Sequence, residues 1–182
     1  MKHTISISLI ALITGILMVQ VVFSDEDRRE YRQQSIGVAP VSSPIYQEEC
    51  ASCHMAYPPG LLPRRSWEKI LAGLETHFGD NAELDVESLN KISEFLIKNS
   101  ADDSEYRRSR KIMRSLNDNA TPLRISETPY IKYRHDEIPA KFIKFNKKVN
   151  SLANCNACHS KAEQGLFSEH DINIPGYGRW DD

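Results

Sequence analysis

Cysteine is missing from almost the whole of this 182-residue chain. The four present fall in two short stretches, "QEECASCH" with Cys50 and Cys53 and "LANCNACHS" with Cys155 and Cys158, so no covalent bridge can form anywhere else. Strand-like alternation of apolar and polar residues is absent over any useful length, which argues against a sheet-based fold. An excess of one charge is lacking too: the net charge is −2, and nothing resembles an acidic tail, a coiled coil or a collagen repeat. What remains, 40% hydrophobic and 26% charged, is the composition of one globular domain of ordinary size or two small ones.

The N-terminus is different in kind. Lys2 precedes an apolar stretch from Ile5 to Phe23, which ends abruptly at Asp25-Glu26-Asp27. Val22 and Ser24 have the small side chains a signal peptidase accepts, so residues 1–24 read as a signal peptide with an N-terminal anchor as the alternative. Either way the chain is expected to be exported, with a periplasmic location. Export places the cysteines in an oxidising compartment, where paired thiols form disulfides unless something else claims them.

Residues 25–42 are polar and aperiodic and read as a flexible arm. Ser43 and Pro44 then mark a helix start, putting Cys50 to His54 at the end of a short helix. Pro58, Pro59, Gly60 and Pro63 enforce a loop. Ser66 is expected to cap a helix through "WEKILAGLETHFG", carrying His77 on its apolar stripe. Asp85 caps a further helix with Leu89, Ile92, Phe95 and Leu96 inward. The reading is an N-terminal unit over 43–100, a charged linker over 101–127 with one helix near Tyr106 to Leu116, and a C-terminal unit over 128–182. In that last unit a short helix begins at Thr128-Pro129, "AKFIKFNKKV" reads as helical, Gly165 ends the helix after the second motif, and "IPGYGRWDD" reads as a tail. The fold class is mainly α with extensive loops.

Cys-x-x-Cys-His, present twice as Cys50-Cys53-His54 and Cys155-Cys158-His159, is the spacing of covalent c-type haem attachment. Two cysteines one helical turn apart reach two vinyl groups on one porphyrin edge, and the next histidine reaches the iron as proximal ligand. A zinc site made of both pairs has no need of a histidine after each, and its knuckles normally lie closer in sequence. A thioredoxin-like pair belongs after a strand. Disulfide staples leave His54 and His159 unexplained. Two c-type haems also supply apolar faces for Trp67, Leu74, Phe78, Phe142 and Phe145.

Function then turns on the sixth iron position, since an iron closed by two protein ligands mainly moves electrons. Outside the N-terminal segment three histidines remain. His77 is assigned to the first haem and His135, beside Tyr130, Ile131 and Tyr133, to the second. His170 lies in a polar loop. Met55 abuts His54 and cannot cross the porphyrin, and Met113 stands in the basic linker; His170 and Met113 are the fallback ligands.

Taken together, "CASCHMAYPPGLLPRRSW", "HFGDNAELD", "RHDEIP" and "NCNACHSKAEQGLF" resemble the small periplasmic dihaem cytochromes c of bacteria. The resemblance runs from about Tyr46 to Pro175. It implies two bis-histidine, low-potential haems, one in a class-I-like N-terminal domain and one in an irregular helical C-terminal domain. Carried over by position, the ligand pairs are His54 with His77 and His159 with His135. It also implies redox-protein partners, among them a small oxygen-binding monohaem cytochrome c and a membrane b-type cytochrome. An electron carrier rather than an enzyme is expected, the alternative being a small dihaem peroxidase or reductase with one openable haem. From Arg107 to Lys148, twelve basic residues face four acidic ones, net +8. This reads either as a solvated face partly neutralised by haem propionates or as a docking surface for an acidic partner; nucleic acid is not expected.

Overall fold

The computed structural model describes residues 37–180. The expected signal segment and most of the 25–42 arm lie outside them. Among the described residues five α-helices are joined by 3-10 turns and loops: α1 (Pro44–Cys50), α2 (Arg64–Leu71), α3 (Val86–Lys98), α4 (Arg107–Ser115) and α5 (Pro129–Tyr133). A two-stranded antiparallel hairpin, β1 (Asn173–Ile174) with β2 (Gly178–Arg179), pairs Asn173 with Arg179 and Ile174 with Gly178. The chain is mainly helical with little sheet, and no described helix is long and apolar enough to cross a membrane.

Local chemistry sets most helix starts. The Ser43 hydroxyl accepts from Tyr46 N at 3.3 Å with Pro44 in the first turn of α1. Asp85 Oδ1 accepts from Glu87 N and Ser88 N at 2.9 and 3.0 Å at the start of α3. Two helices depart from the sequence reading. Helix α2 begins at Arg64 rather than after Ser66, because Asp102 Oδ2 accepts from Arg64 N at 2.6 Å across 38 residues. It ends at Leu71, where Gly73 weakens the helix, so His77 stands beyond a separate 3-10 turn (Leu74–Thr76) and not on a helical stripe. Likewise "AKFIKFNKKV" is not an α-helix: a 3-10 turn (Ala140–Phe142) gives way to turns in which Asn146 Oδ1 accepts from Lys148 N at 3.1 Å, competing with the helical backbone bonds.

Two hydrophobic clusters hold the chain. Tyr46, Ala56, Leu62, Trp67, Ile92 and Leu96 form the first, where α1 and α2 pack on α3. The Trp67 indole Nε1–H donates to Pro59 O at 2.8 Å, so its buried polar end is satisfied. Val38, Leu61, Ile112 and Ile131 form the second, under α4 and α5. Leu61 and Leu62 thus face different clusters from adjacent positions, and the proline-rich loop joins them. Val38, within the stretch read as an arm, is fully buried, and its N donates to Gly165 O at 3.2 Å. Residues 173–180 are not a loose tail either: Ile174 is buried, and Tyr177 and Trp180 pack edge-on against Phe142 at 4.3 and 5.6 Å. Phe145, expected against a porphyrin, is 74% exposed.

Candidate haem sites

The first Cys-x-x-Cys-His leaves the end of α1, with Cys50 its last residue and Cys53 and His54 on the exposed turn that follows. His54 Nδ1 lies 2.7 Å from Met55 O. A carbonyl only accepts, so Nδ1 carries the proton and Nε2 keeps its lone pair, the tautomer a metal ligand requires. The His54 ring stacks on Tyr57 at 4.7 Å and 27°. Facing it is His77, whose ring centre is 6.2 Å away with the planes 34° apart. Phe78 backs His77 edge-on at 4.8 Å, and the Arg124 guanidinium covers Phe78 at 4.0 Å. Burial, then the nearby His54, holds His77 below the ordinary histidine range, so it stays neutral at pH 7.

The second motif folds as a 3-10 turn (Cys155–Ala157), with His159 N bonded to Cys155 O at 2.9 Å. The hairpin clasps it: Asn173 N donates to Cys158 O at 3.1 Å. His135 follows the end of α5 rather than lying within it, and its Nδ1 donates to Ile131 O at 2.8 Å, again leaving Nε2 free. The His135 and His159 rings are 6.2 Å apart at 80°. Burial lowers both pKa values, and burial plus His135 takes His159 to about 4. His159 Nδ1 is buried with no hydrogen-bond partner. The cavity holding this pair is lined by Cys155, Cys158, Ile131, Phe142, Ile174 and Trp180 among others; neither Met113 nor His170 lines it.

An imidazole nitrogen ligating a first-row metal sits about 2 Å from it and the ring centre about 1 Å farther back, so two rings on opposite sides of one ion have centres about 6 Å apart. Both pairs match. The donor sets fit a porphyrin iron, which needs only two protein ligands, better than zinc: no group of three or more His, Cys, Asp or Glu able to hold a metal ion occurs among the described residues. Burial also pushes Cys50 and Cys155 up to about 11, whereas thiol-redox chemistry needs a low-pKa thiolate.

Sequence reasoning missed Tyr57, which connects the sites. Besides stacking on His54, its hydroxyl donates to Ala153 O at 2.7 Å, two residues before Cys155. It missed Arg108 as well, whose guanidinium lines the second cavity. A lone tyrosine in a proline-rich loop and one arginine among many carry no local signal of either role.

No curated protein sequence matches the chain. The family model for dihaem cytochrome c matches residues 46–167. A diheme cytochrome type c from Shewanella baltica, solved by X-ray crystallography, is 42% identical, covers 76% of this chain and 97% of its own, and superposes with a TM-score of 0.63. The diheme cytochrome c from Rhodobacter sphaeroides is 44% identical over 71% of this chain and 99% of its own, with a TM-score of 0.64. With two Cys-x-x-Cys-His motifs, two facing histidine pairs and this likeness over most of its length, the chain belongs to the dihaem cytochrome c family and is a haem-based electron carrier with two c-type haems.

Proposed function

We propose that this is an exported, periplasmic electron-transfer protein in which both irons are closed by histidine. Cys50 and Cys53 would hold one porphyrin by thioethers and Cys155 and Cys158 the other, with His54 and His77, and His159 and His135, as the histidines that would ligate the two irons. The observation that carries this is the repeated 6.2 Å ring separation, reached from opposite chain orders: motif then distal histidine in the first site, distal histidine then motif in the second.

When bound, each haem supplies a one-electron ferric/ferrous couple. The chain's part is to hold that couple still. Nδ1–H bonds to Met55 O and Ile131 O orient His54 and His135 and raise their basicity as ligands. Tyr57 and Phe78 brace the first pair, and Phe167, edge-on to His159 at 5.4 Å, braces the second. With a histidine of this chain available on each side of both irons, no place would remain for dioxygen or peroxide, which favours a carrier over a dihaem peroxidase or reductase. The resemblance supports low potentials, a class-I-like character for the N-terminal unit, and exchange with a small oxygen-binding monohaem cytochrome c and a membrane b-type cytochrome.

The test is an absorption spectrum of the reduced protein with and without carbon monoxide, with a haem count. Two haems and no carbon monoxide shift are expected, while His77→Ala and His135→Ala each open one iron to carbon monoxide. A Soret shift in the unsubstituted protein refutes the closed-iron reading.

A further inference from the structure

Arg108 on α4 stands between two cavities. One contains the His135–His159 pair with Cys155 and Cys158; the other is a cleft between α4, α5 and residues 166–170, lined by Arg107, Lys111, Arg134, Glu169 and His170. Two of its guanidinium nitrogens have protein partners. Nη2 donates to Phe167 O at 3.0 Å and Nη1 to Tyr130 Oη at 3.4 Å. The cation lies over the Phe167 and Tyr130 rings at 5.2 and 5.9 Å. The backbone comes unusually close on one side: Arg108 N donates to Gly37 O at 3.0 Å, and a Cβ on residue 37 would lie 2.9 Å from Nε.

Nε itself is sealed from solvent and has no hydrogen-bond partner. Nor does any carboxylate among the described residues lie within ion-pair distance of Arg108. Glu169, the acid that lines both cavities, is paired with Arg134. Burial lowers the Arg108 pKa, yet a guanidinium does not lose its proton in a protein. A half-buried cation that keeps its charge favours an anion beside it. A haem held by His135 and His159 would bring acidic groups of its own, its propionates, into the cavity that Arg108 lines.

We infer that Arg108 is the counter-cation of a propionate of the second haem. This rests on the reading that His135 and His159 ligate that haem. The paired charges also set its potential. Reduction removes one positive charge from the iron, so a fixed cation beside the haem favours the reduced form, and removing it leaves the propionate charge to favour the oxidised form. Arg108 is thus a positioning residue that anchors the porphyrin and raises the potential of one haem.

The test is redox titration of the purified two-haem protein, its waves assigned to haems by their low-spin resonance signals. In Arg108→Met, the second haem's wave is expected to fall by at least about tenfold in reduction equilibrium, about 59 mV for one electron, with the first haem's wave unmoved. Arg108→Lys keeps the charge and brings the wave most of the way back, which a purely packing role for the side chain does not predict. Unmoved waves in Arg108→Met, with two haems and no carbon monoxide binding, overturn the inference while the ligand reading stands. A wild-type second-haem potential that shifts with added inorganic phosphate, and no longer does so in Arg108→Met, places the anion in solution and overturns it too. A haem count of one, or carbon monoxide binding to the wild type, overturns the underlying reading together with the inference.

Discussion

Gly165→Ala isolates the contact that ties the N-terminal segment to the second haem motif. Gly165 closes a 3-10 turn (Ala162–Gln164) in the left-handed region, φ 74° and ψ 12°, six residues after His159. An alanine there costs about 1–2 kcal/mol for the conformation alone. Its Cβ would also overlap the carbonyl oxygen of Val38, which nothing can relieve except displacement of the backbone. Overpacking of that kind costs about 1–3 kcal/mol. Moving the segment further lengthens the Val38 N to Gly165 O bond, worth about 1 kcal/mol. The expected loss is about 4 kcal/mol, a large part of the 5–15 kcal/mol typical of a folded domain. Gly176→Ala is the control: φ is 84°, but nothing lies within 4 Å of the added Cβ, so only the conformational cost of about 1–2 kcal/mol applies. The assay is guanidinium unfolding of both haem-loaded variants, followed by far-ultraviolet circular dichroism. If Gly165→Ala costs no more than Gly176→Ala, the reasoning about Val38 fails.

Asp85→Ala lowers the unfolding midpoint by removing the cap of α3, and the effect depends on pH with a definite sign. Hydrogen bonds from Ser88 hold the Asp85 carboxyl below its ordinary value, so its contribution is present above the unfolded carboxylate pKa and disappears as pH falls through the lower folded one. Wild type and Asp85→Ala therefore converge in acid, as thermal melts at neutral and strongly acidic pH will register; a gap that persists unchanged rejects the capping account. The two haems should also give different ferric low-spin resonance spectra. Ring planes 34° apart reinforce each other's π interaction along one direction and split the iron orbitals rhombically, whereas planes 80° apart nearly cancel and leave an axial site. Two superimposed rhombic signals would contradict the ring geometry.

Legibility followed the range of the interactions. Ser43-Pro44 and Asp85 act within three residues, so the starts of α1 and α3 could be read directly. The haem motifs act within five, and their facing histidines were identifiable because few histidines compete for the role. The start of α2 was misread because Asp102 decides it from 38 residues away. His77 was placed on a helix because Leu74 and Phe78 mimic a helical stripe; Gly73 interrupts that helix, and a 3-10 turn carries His77 to the same facing position by another route. The 173–180 hairpin was invisible because its strands are two residues each, too short to show alternation, and Phe142 and Asn146 fix its place through Tyr177, Trp180 and Pro175 O.

Tyr57 has one more consequence, for damage rather than for transport. A tyrosine wedged between two redox centres becomes a radical relay when its phenol can shed a proton as it loses an electron. Here the proton points at the Ala153 carbonyl, an oxygen too weakly basic to take it, and burial pushes the phenol up to about 12. Loss of an electron from the ring would therefore leave the phenol proton with no base beside it to accept it. The contact that joins the two sites thus works against oxidation of the tyrosine that makes it.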